Sequence, residues 1–178
     1  RVLSVEEQRA LRDAASGAIK DLLEGLMLLG ARPIELVRAK VADYSPREGT
    51  LRLTSYKGRS PEPRRRIVPL RALGAEALIA RLAKGRPGDA PLFPRDDGKP
   101  WQHSGWDEDM RAVAARAGLA GVSAYSLRHS FVSLALSAGV DPMTVARIVG
   151  TGISQLQRTY AHLLHDHAAQ AFGRMERP

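Results

Sequence analysis

The 178-residue chain contains no cysteine, which excludes disulfides, thiolate metal sites and a cysteine nucleophile, and suits a reducing compartment. It also lacks a long apolar run: the longest, around Leu26 to Ala31, is far too short to span a bilayer. The arginine-led N-terminus has no signal-peptide core. No repeat or low-complexity tract occurs, no G-x-S-x-G marks a serine hydrolase, and no Walker A glycine-lysine motif is present. A cytoplasmic protein is expected. Acid is scarce as well: 19 Asp plus Glu face 27 Lys plus Arg, giving a net charge of +8 and a pI of about 10.4. That balance is the electrostatic footprint of a nucleic-acid binder.

What remains is ordinary globular material. With 44% hydrophobic and 26% charged residues, the chain is long enough to bury a core as one domain. It starts with Arg1 rather than Met, so a segment of a longer chain is expected, with an N-terminal portion ahead of it.

Ser4 and Glu7 form a capping box, and apolar positions from Leu11 to Met27 continue a helical stripe that Gly17 divides. Gly30 is placed as a C-cap and Pro33 at the first turn of the next helix, so Arg32 falls at a tight helix-to-helix junction. Leu51 and Leu53 alternate with polar residues, 58–63 is turn-rich and 67–70 is apolar again, which predicts a β-hairpin. The hairpin carries Lys57, Arg59, Arg64, Arg65 and Arg66, expected to contact DNA phosphates rather than pack in a core. Helices are predicted from about Leu73 to Leu82 and Gly105 to Ala117. Ser123 caps another helix with Leu127, Phe131, Leu134 and Ala135 on one face, which Gly139 stops. Asp141 and Pro142 start the next, which ends at Gly150. Ser154 and Gln157 then read as a capping box that sets Tyr160 in the second turn of a helix. The fold class is α+β, mostly helical with a small antiparallel sheet.

A phosphodiester under attack becomes a crowded, highly charged species that guanidinium forks stabilise through its non-bridging oxygens. Arg32 and Arg128 each stand beside a helix start amid apolar residues, not in an arginine run. Taken singly, each also suits a surface ion pair. Tyr160 is the candidate nucleophile: a phenol titrating near ~10 is lowered by guanidinium charge and can form a covalent phosphotyrosine. Its bland counterpart is a core tyrosine with a satisfied hydroxyl. Lys57 can protonate a leaving 5′-oxygen as general acid, or simply contact phosphate. His162, His165 and His167 lie about a helical turn apart, but no carboxylate or thiolate set completes a metal site. They read as a solvated helix end, and no cofactor is expected.

Four stretches, ARPIEL, the YKG-to-RRRIVPL hairpin, SAYSLRHSF and the segment from Gly150 to Tyr160, resemble the catalytic domain of the tyrosine recombinases, or phage integrases. The resemblance spans about Ser4 to His162. It implies that Arg32 and Arg128 are the two catalytic arginines, Lys57 the hairpin lysine and Tyr160 the nucleophile. Tyr125 takes a position often held by histidine, where it still donates a hydrogen bond to the phosphate. His129 matches a histidine regarded as supporting structure. Thr151 departs from the pattern, standing where histidine or tryptophan is usual; it is shorter and offers one donor without a ring.

The activity implied is site-specific strand cleavage and rejoining through a 3′-phosphotyrosine. Double-stranded DNA is the expected partner, with four protomers in the synapse, the fragment alone monomeric, and location at the nucleoid. The same resemblance implies a DNA-binding domain in the preceding N-terminal portion and a C-terminal arm at 166–178 that docks on a neighbour. Two other readings exist. One is a recombinase-like domain that binds DNA but cleaves poorly because of Thr151. The other is a helix-turn-helix regulator suggested by FVSLALSAGVDPMTVARIVG, which leaves Arg32, the hairpin and Tyr160 without roles.

Overall fold

The computed structural model describes residues 1–56, 62–102 and 105–173, with backbone alone at 162 and 165–172. The chain opens as the capping box dictates. Ser4 Oγ accepts from the Glu7 amide at 3.2 Å, and a Glu7 carboxylate oxygen accepts from the Ser4 amide at 2.9 Å. This starts α1, Val5–Ala14, and the stripe does break at Gly17, where α2, Gly17–Leu29, begins. α2 is the central helix: Ile19, Leu22, Leu23, Leu26 and Leu29 are all buried, each side chain contributing roughly 1.5–3 kcal/mol of apolar transfer. Gly30 ends it in the left-handed region at φ 55°. A β-carbon there would run into the Phe131 ring, so glycine is required for space as well as conformation.

Pro33 then opens α3, Pro33–Arg38, and a single 3₁₀ turn, Val41–Asp43, leads into the sheet. Its strands β1, Tyr44–Ser45, β2, Thr50–Ser55, and β3, Arg64–Pro69, run antiparallel in the order β1-β2-β3. The register pairs Leu51 with Val68 and Leu53 with Arg66. Leu51, Leu53 and Val68 are buried, and strand periodicity puts Arg66 on the same face as Val68. The expectation that the hairpin arginines stay out of the interior is therefore corrected for Arg66, which turns inward. Arg64 and Arg65 are exposed. Lys57 and Arg59 lie outside the described residues.

The remainder is helical: α4, Glu76–Ala83; α5, Trp106–Arg116; α6, Ala124–Ser137; α7, Pro142–Val149; and α8, Ile153–Gly173. α4 starts later than the predicted Leu73, because 70–74 is a turn. The predicted face of α6 also needs correction. Leu134 is 42% exposed, while Ser126, Ser130 and Ser133 are buried beside Leu127, Val132 and Leu136. Ser126 and Ser130 go inside because their hydroxyls find partners: Ser126 Oγ accepts from the Ser123 amide at 3.1 Å, and Ser130 Oγ accepts from the Leu3 amide at 2.7 Å and donates to the Ser126 carbonyl at 2.8 Å. Ser154 does not cap α8. It lies inside the first turn, and the Gln155 and Leu156 amides bond back to the Gly152 carbonyl instead. The backbone of the expected C-terminal arm continues α8 as far as Gly173.

Two apolar clusters result. The larger gathers α1 to α5, the sheet and the first turn of α6. The smaller joins the rest of α6 with α7 and α8 through Val132, Leu136, Val145, Val149, Leu156 and Tyr160. α6 contributes Leu127 to the first and Val132 to the second, so Arg128 and His129 stand at the seam between them. Among the described residues no helix is long and apolar enough to cross a membrane.

Candidate active site

The seam opens into a cavity of about 630 Å³. Arg32, Tyr125, Arg128, Thr151 and Tyr160 all line it, so five of the six residues expected to act together from sequence share one space. The sixth, Lys57, is outside the described residues. Arg64, Arg65, Arg66 and Arg147 complete a wall of six arginines, and among the described residues no carboxylate side chain lines the cavity. A site of this composition is built for a polyanion.

Arg32 is the N-cap of α3. Its amide donates to one carboxylate oxygen of Glu35 at 2.9 Å and its Nη1 to the other at 3.0 Å. The same carboxylate receives Arg66, with Nη1 at 2.9 Å and Nη2 at 2.7 Å, while Arg66 Nε donates to the Ile148 carbonyl at 2.8 Å. Glu35 is thus a buried anchor, 1% exposed, for two guanidinium groups. Burial pushes its carboxyl up, but the hydrogen bonds and charge of Arg66, helped by Arg32, outweigh that and hold it below the ordinary carboxylate value. Sequence reasoning does not single out Glu35 and Arg66 for this pairing. The Arg32–Glu35 spacing of a helix N-terminus and the shared face of Arg66 and Val68 are the signals that could have found it.

Arg128 is held from behind. Its Nη1 donates to the Gly30 carbonyl at 2.8 Å and to the Val149 carbonyl at 2.6 Å. Both acceptors sit at helix C-termini, where carbonyls lack intrahelical partners and the dipole favours a cation. Both bonds use one nitrogen, so Nε and Nη2 make no hydrogen bond among the described residues. Burial, with Arg32 nearby, lowers the Arg128 pKa to about 10, which leaves it cationic at neutral pH.

Gly150 ends α7 at φ 69°. A β-carbon on it would lie 2.6 Å from Arg66 Nη1. This close approach lets the backbone before Thr151 press against the Arg66–Glu35 pair, and the Thr151 amide bonds back to the Ala146 carbonyl at 3.0 Å. Tyr125 stands at the mouth, 52% exposed.

Tyr160 occupies a break in α8, with non-helical angles of φ −124° and ψ 28°. Its ring belongs to the smaller core and is 8% exposed. The hydroxyl lies 2.6 Å from His129 Nδ1. Burial pushes the phenol pKa up, and Arg128 works against that rise. His129 is shifted down, chiefly by burial and then by nearby positive charge, that of Arg128 included. The side chains of His162, His165 and His167 lie outside the described residues. Among the described residues no group of three or more histidines and carboxylates could hold a metal ion.

Residues 1–167 match the model of the phage integrase family. Tyrosine recombinase XerC of Roseiflexus sp. (strain RS-1) is 33% identical over 173 residues, covering 90% of this chain and 53% of that protein. Tyrosine recombinase XerD of Corynebacterium glutamicum is 29% identical over 160 residues, covering 86% of this chain and 50% of that protein. The chain therefore spans about half the length of these curated relatives. The catalytic domain of bacteriophage HP1 integrase has the same fold, with a TM-score of 0.70 at 20% identity over 97% of this chain and 94% of that one. The Tn1549 transposon integrase, in complex with circular intermediate DNA, aligns with a TM-score of 0.77 at 17% identity over 99% of this chain and 67% of that one.

Proposed function

Because the chain belongs to the phage integrase family, we propose that it breaks and rejoins duplex DNA by transferring a phosphodiester to Tyr160. One observation carries the reading: six arginines and the Tyr160 hydroxyl share a cavity with no carboxylate among the described residues of its wall. Arg32 and Arg128 hold the non-bridging oxygens of the scissile phosphate, each braced from behind by fixed acceptors. Pre-set donors of this kind stabilise developing charge without reorganising. Tyr125 and Thr151 add hydroxyl donors. The Tyr160 Oη–P bond forms as the P–O5′ bond breaks, and Lys57 gives a proton to the departing O5′. A partner strand's 5′-hydroxyl then reverses the step.

Arg64, Arg65, Lys57 and Arg59 contact the DNA backbone in this reading. Such contacts set affinity and register but carry no base information. Strand exchange on two duplexes calls for four protomers, the isolated chain being a monomer, and the DNA is that of a bacterial or phage nucleoid in the cytoplasm. An N-terminal DNA-binding domain closes the clamp, and the segment at 166–178 serves as an arm between protomers.

The test is incubation of the protein with a nicked suicide duplex carrying its site, selected from a randomised library, followed by a denaturing gel. A covalent adduct that disappears with Tyr160→Phe is the expected result; no adduct from the parent protein would overturn strand transfer. Thr151 favours a second reading, a domain that binds DNA and cleaves poorly. Tight DNA binding without adduct would select it.

A further inference from the structure

Nucleophilic attack by Tyr160 requires that its proton go somewhere. Burial already holds the phenol above its ordinary pKa, so the proton is not lost spontaneously near neutrality. Of the described side chains lining the cavity, arginines cannot accept it, none is a carboxylate, and the hydroxyls and amide are too weakly basic. His129 is the single imidazole among them. Its Nδ1 stands 2.6 Å from the Tyr160 hydroxyl, the separation of a strong hydrogen bond, with the ring planes tilted by 47°. A phenol is a far stronger acid than a neutral imidazole N–H, so within this pair the phenol is the donor and Nδ1 the acceptor. Its other nitrogen, Nε2, then carries the ring proton.

We propose that His129 is a catalytic residue of this chain, the base that takes the Tyr160 proton. The role rests on Tyr160 being the nucleophile, as proposed above. As the Oη–P bond forms and the P–O5′ bond breaks, the phenolic proton moves to His129 Nδ1. O5′ departs with a proton from a separate acid, Lys57 or water. The imidazolium returns its extra proton to solvent, since the His129 ring is only partly buried, or back to Tyr160 on religation.

The surroundings suit an acceptor. Arg128 beside it on α6, and Arg32, Arg66 and Arg147 around the cavity from the α2–α3 junction, β3 and α7, all bring guanidinium charge. Together with burial they disfavour imidazolium, so the ring is neutral and ready at pH 7. From the described side chains of α8, the titrating neighbour is Tyr160 itself.

The experiment compares the parent chain with His129→Gln and His129→Ala for adduct formation on the selected suicide duplex, across pH, with DNA affinity measured in parallel. Glutamine keeps a hydrogen-bonding group but cannot take a proton. The expected result for His129→Gln is unchanged DNA affinity, a rate lower by about 10²–10⁴, and loss of the acid limb of the parental pH profile. A His129→Gln rate equal to the parent's, or an acid limb that persists in it, overturns His129 as the base. His129→Ala separates ring chemistry from folding: a slow, folded variant accelerated by added imidazole agrees with the proposal. If the parent forms no adduct either, strand transfer itself fails, and the role of His129 with it.

Discussion

Arg66 grips both carboxylate oxygens of Glu35, at 2.9 and 2.7 Å, across the gap between β3 and α3. The pair joins the hairpin, which is expected to meet DNA, to the helix that presents Arg32. It also reaches α7 through the Ile148 carbonyl. Three elements that line the arginine-rich cavity are thus pinned around one buried carboxylate.

Removing that carboxylate strands two guanidinium groups. Glu35→Ala is expected to destabilise the fold by about 3–5 kcal/mol, the cost of leaving a buried charge uncompensated. Urea denaturation checks this, and a destabilisation below about 1 kcal/mol would show that the pair is not a structural anchor.

The same pair gives a pH dependence. The folded Glu35 carboxyl is held below the ordinary value of 4.5, so the unfolded chain binds a proton more readily. Its contribution to stability is full above the unfolded pKa and is lost as pH falls through the folded one. Stability measured from pH 7 down to about 3 should fall less steeply for Glu35→Gln than for the parent. Parallel curves would assign acid lability to other carboxylates.

Gly150→Ala tests the close approach to Arg66. At φ 69° an L-residue costs about 1–3 kcal/mol, and the added β-carbon collides with the Arg66 guanidinium. Reduced stability is expected together with slower adduct formation, since Thr151 follows directly. Full activity with lowered stability would mean that the turn before Thr151 tolerates displacement.

Arg64 and Arg65 should behave differently from Arg66, although the three are adjacent. Alanine at the two exposed positions should leave stability unchanged, weaken DNA binding across sequences and reduce the salt slope by about 0.9 for each phosphate no longer neutralised. Arg66→Ala should destabilise first. Salt titrations by fluorescence beside thermal melts separate the effects; an unchanged slope for the exposed pair would remove them from the DNA interface.

The contrast among these arginines shows where the sequence is readable. Local signals are reliable when one residue type has one physical use: Gly30 and Pro33 fix the junction around Arg32, and Ser4 with Glu7 fixes the first helix. The alternation of Leu51 and Leu53 locates the hairpin. Signals fail when a side chain's fate depends on a distant partner. Arg66 reads as a surface cation beside Arg64 and Arg65, because Glu35, 31 residues away, supplies the reason it turns inward. Ser126 and Ser130 displace Leu134 from the inner face of α6 because the Leu3 amide and a helix carbonyl satisfy the Ser130 hydroxyl. Ser154 and Gln157 have capping-box spacing, yet the Gly152 carbonyl starts α8. The His129–Tyr160 contact likewise joins two helices, and no spacing within either announces it.

Thr151 gives the last prediction. It lines the cavity beside Gly150, at a position where the resemblance leads one to expect histidine or tryptophan, and its side chain offers a single short donor. Removing one donor that acts on a developing oxyanion typically costs about 10²–10³ in rate, and threonine recovers only the part its shorter reach allows. Thr151→His is therefore expected to raise the rate of Tyr160 adduct formation by up to that factor while leaving DNA affinity nearly unchanged. A group that acts only in the transition state alters the chemical step and not the ground-state complex. Single-turnover adduct formation and equilibrium DNA binding, measured on the same selected duplex, check both halves. A rate increase matched by an equal gain in affinity would reveal ground-state binding instead. An unchanged rate would show that threonine already serves this cavity, in which the arginines of its wall supply the donors that matter.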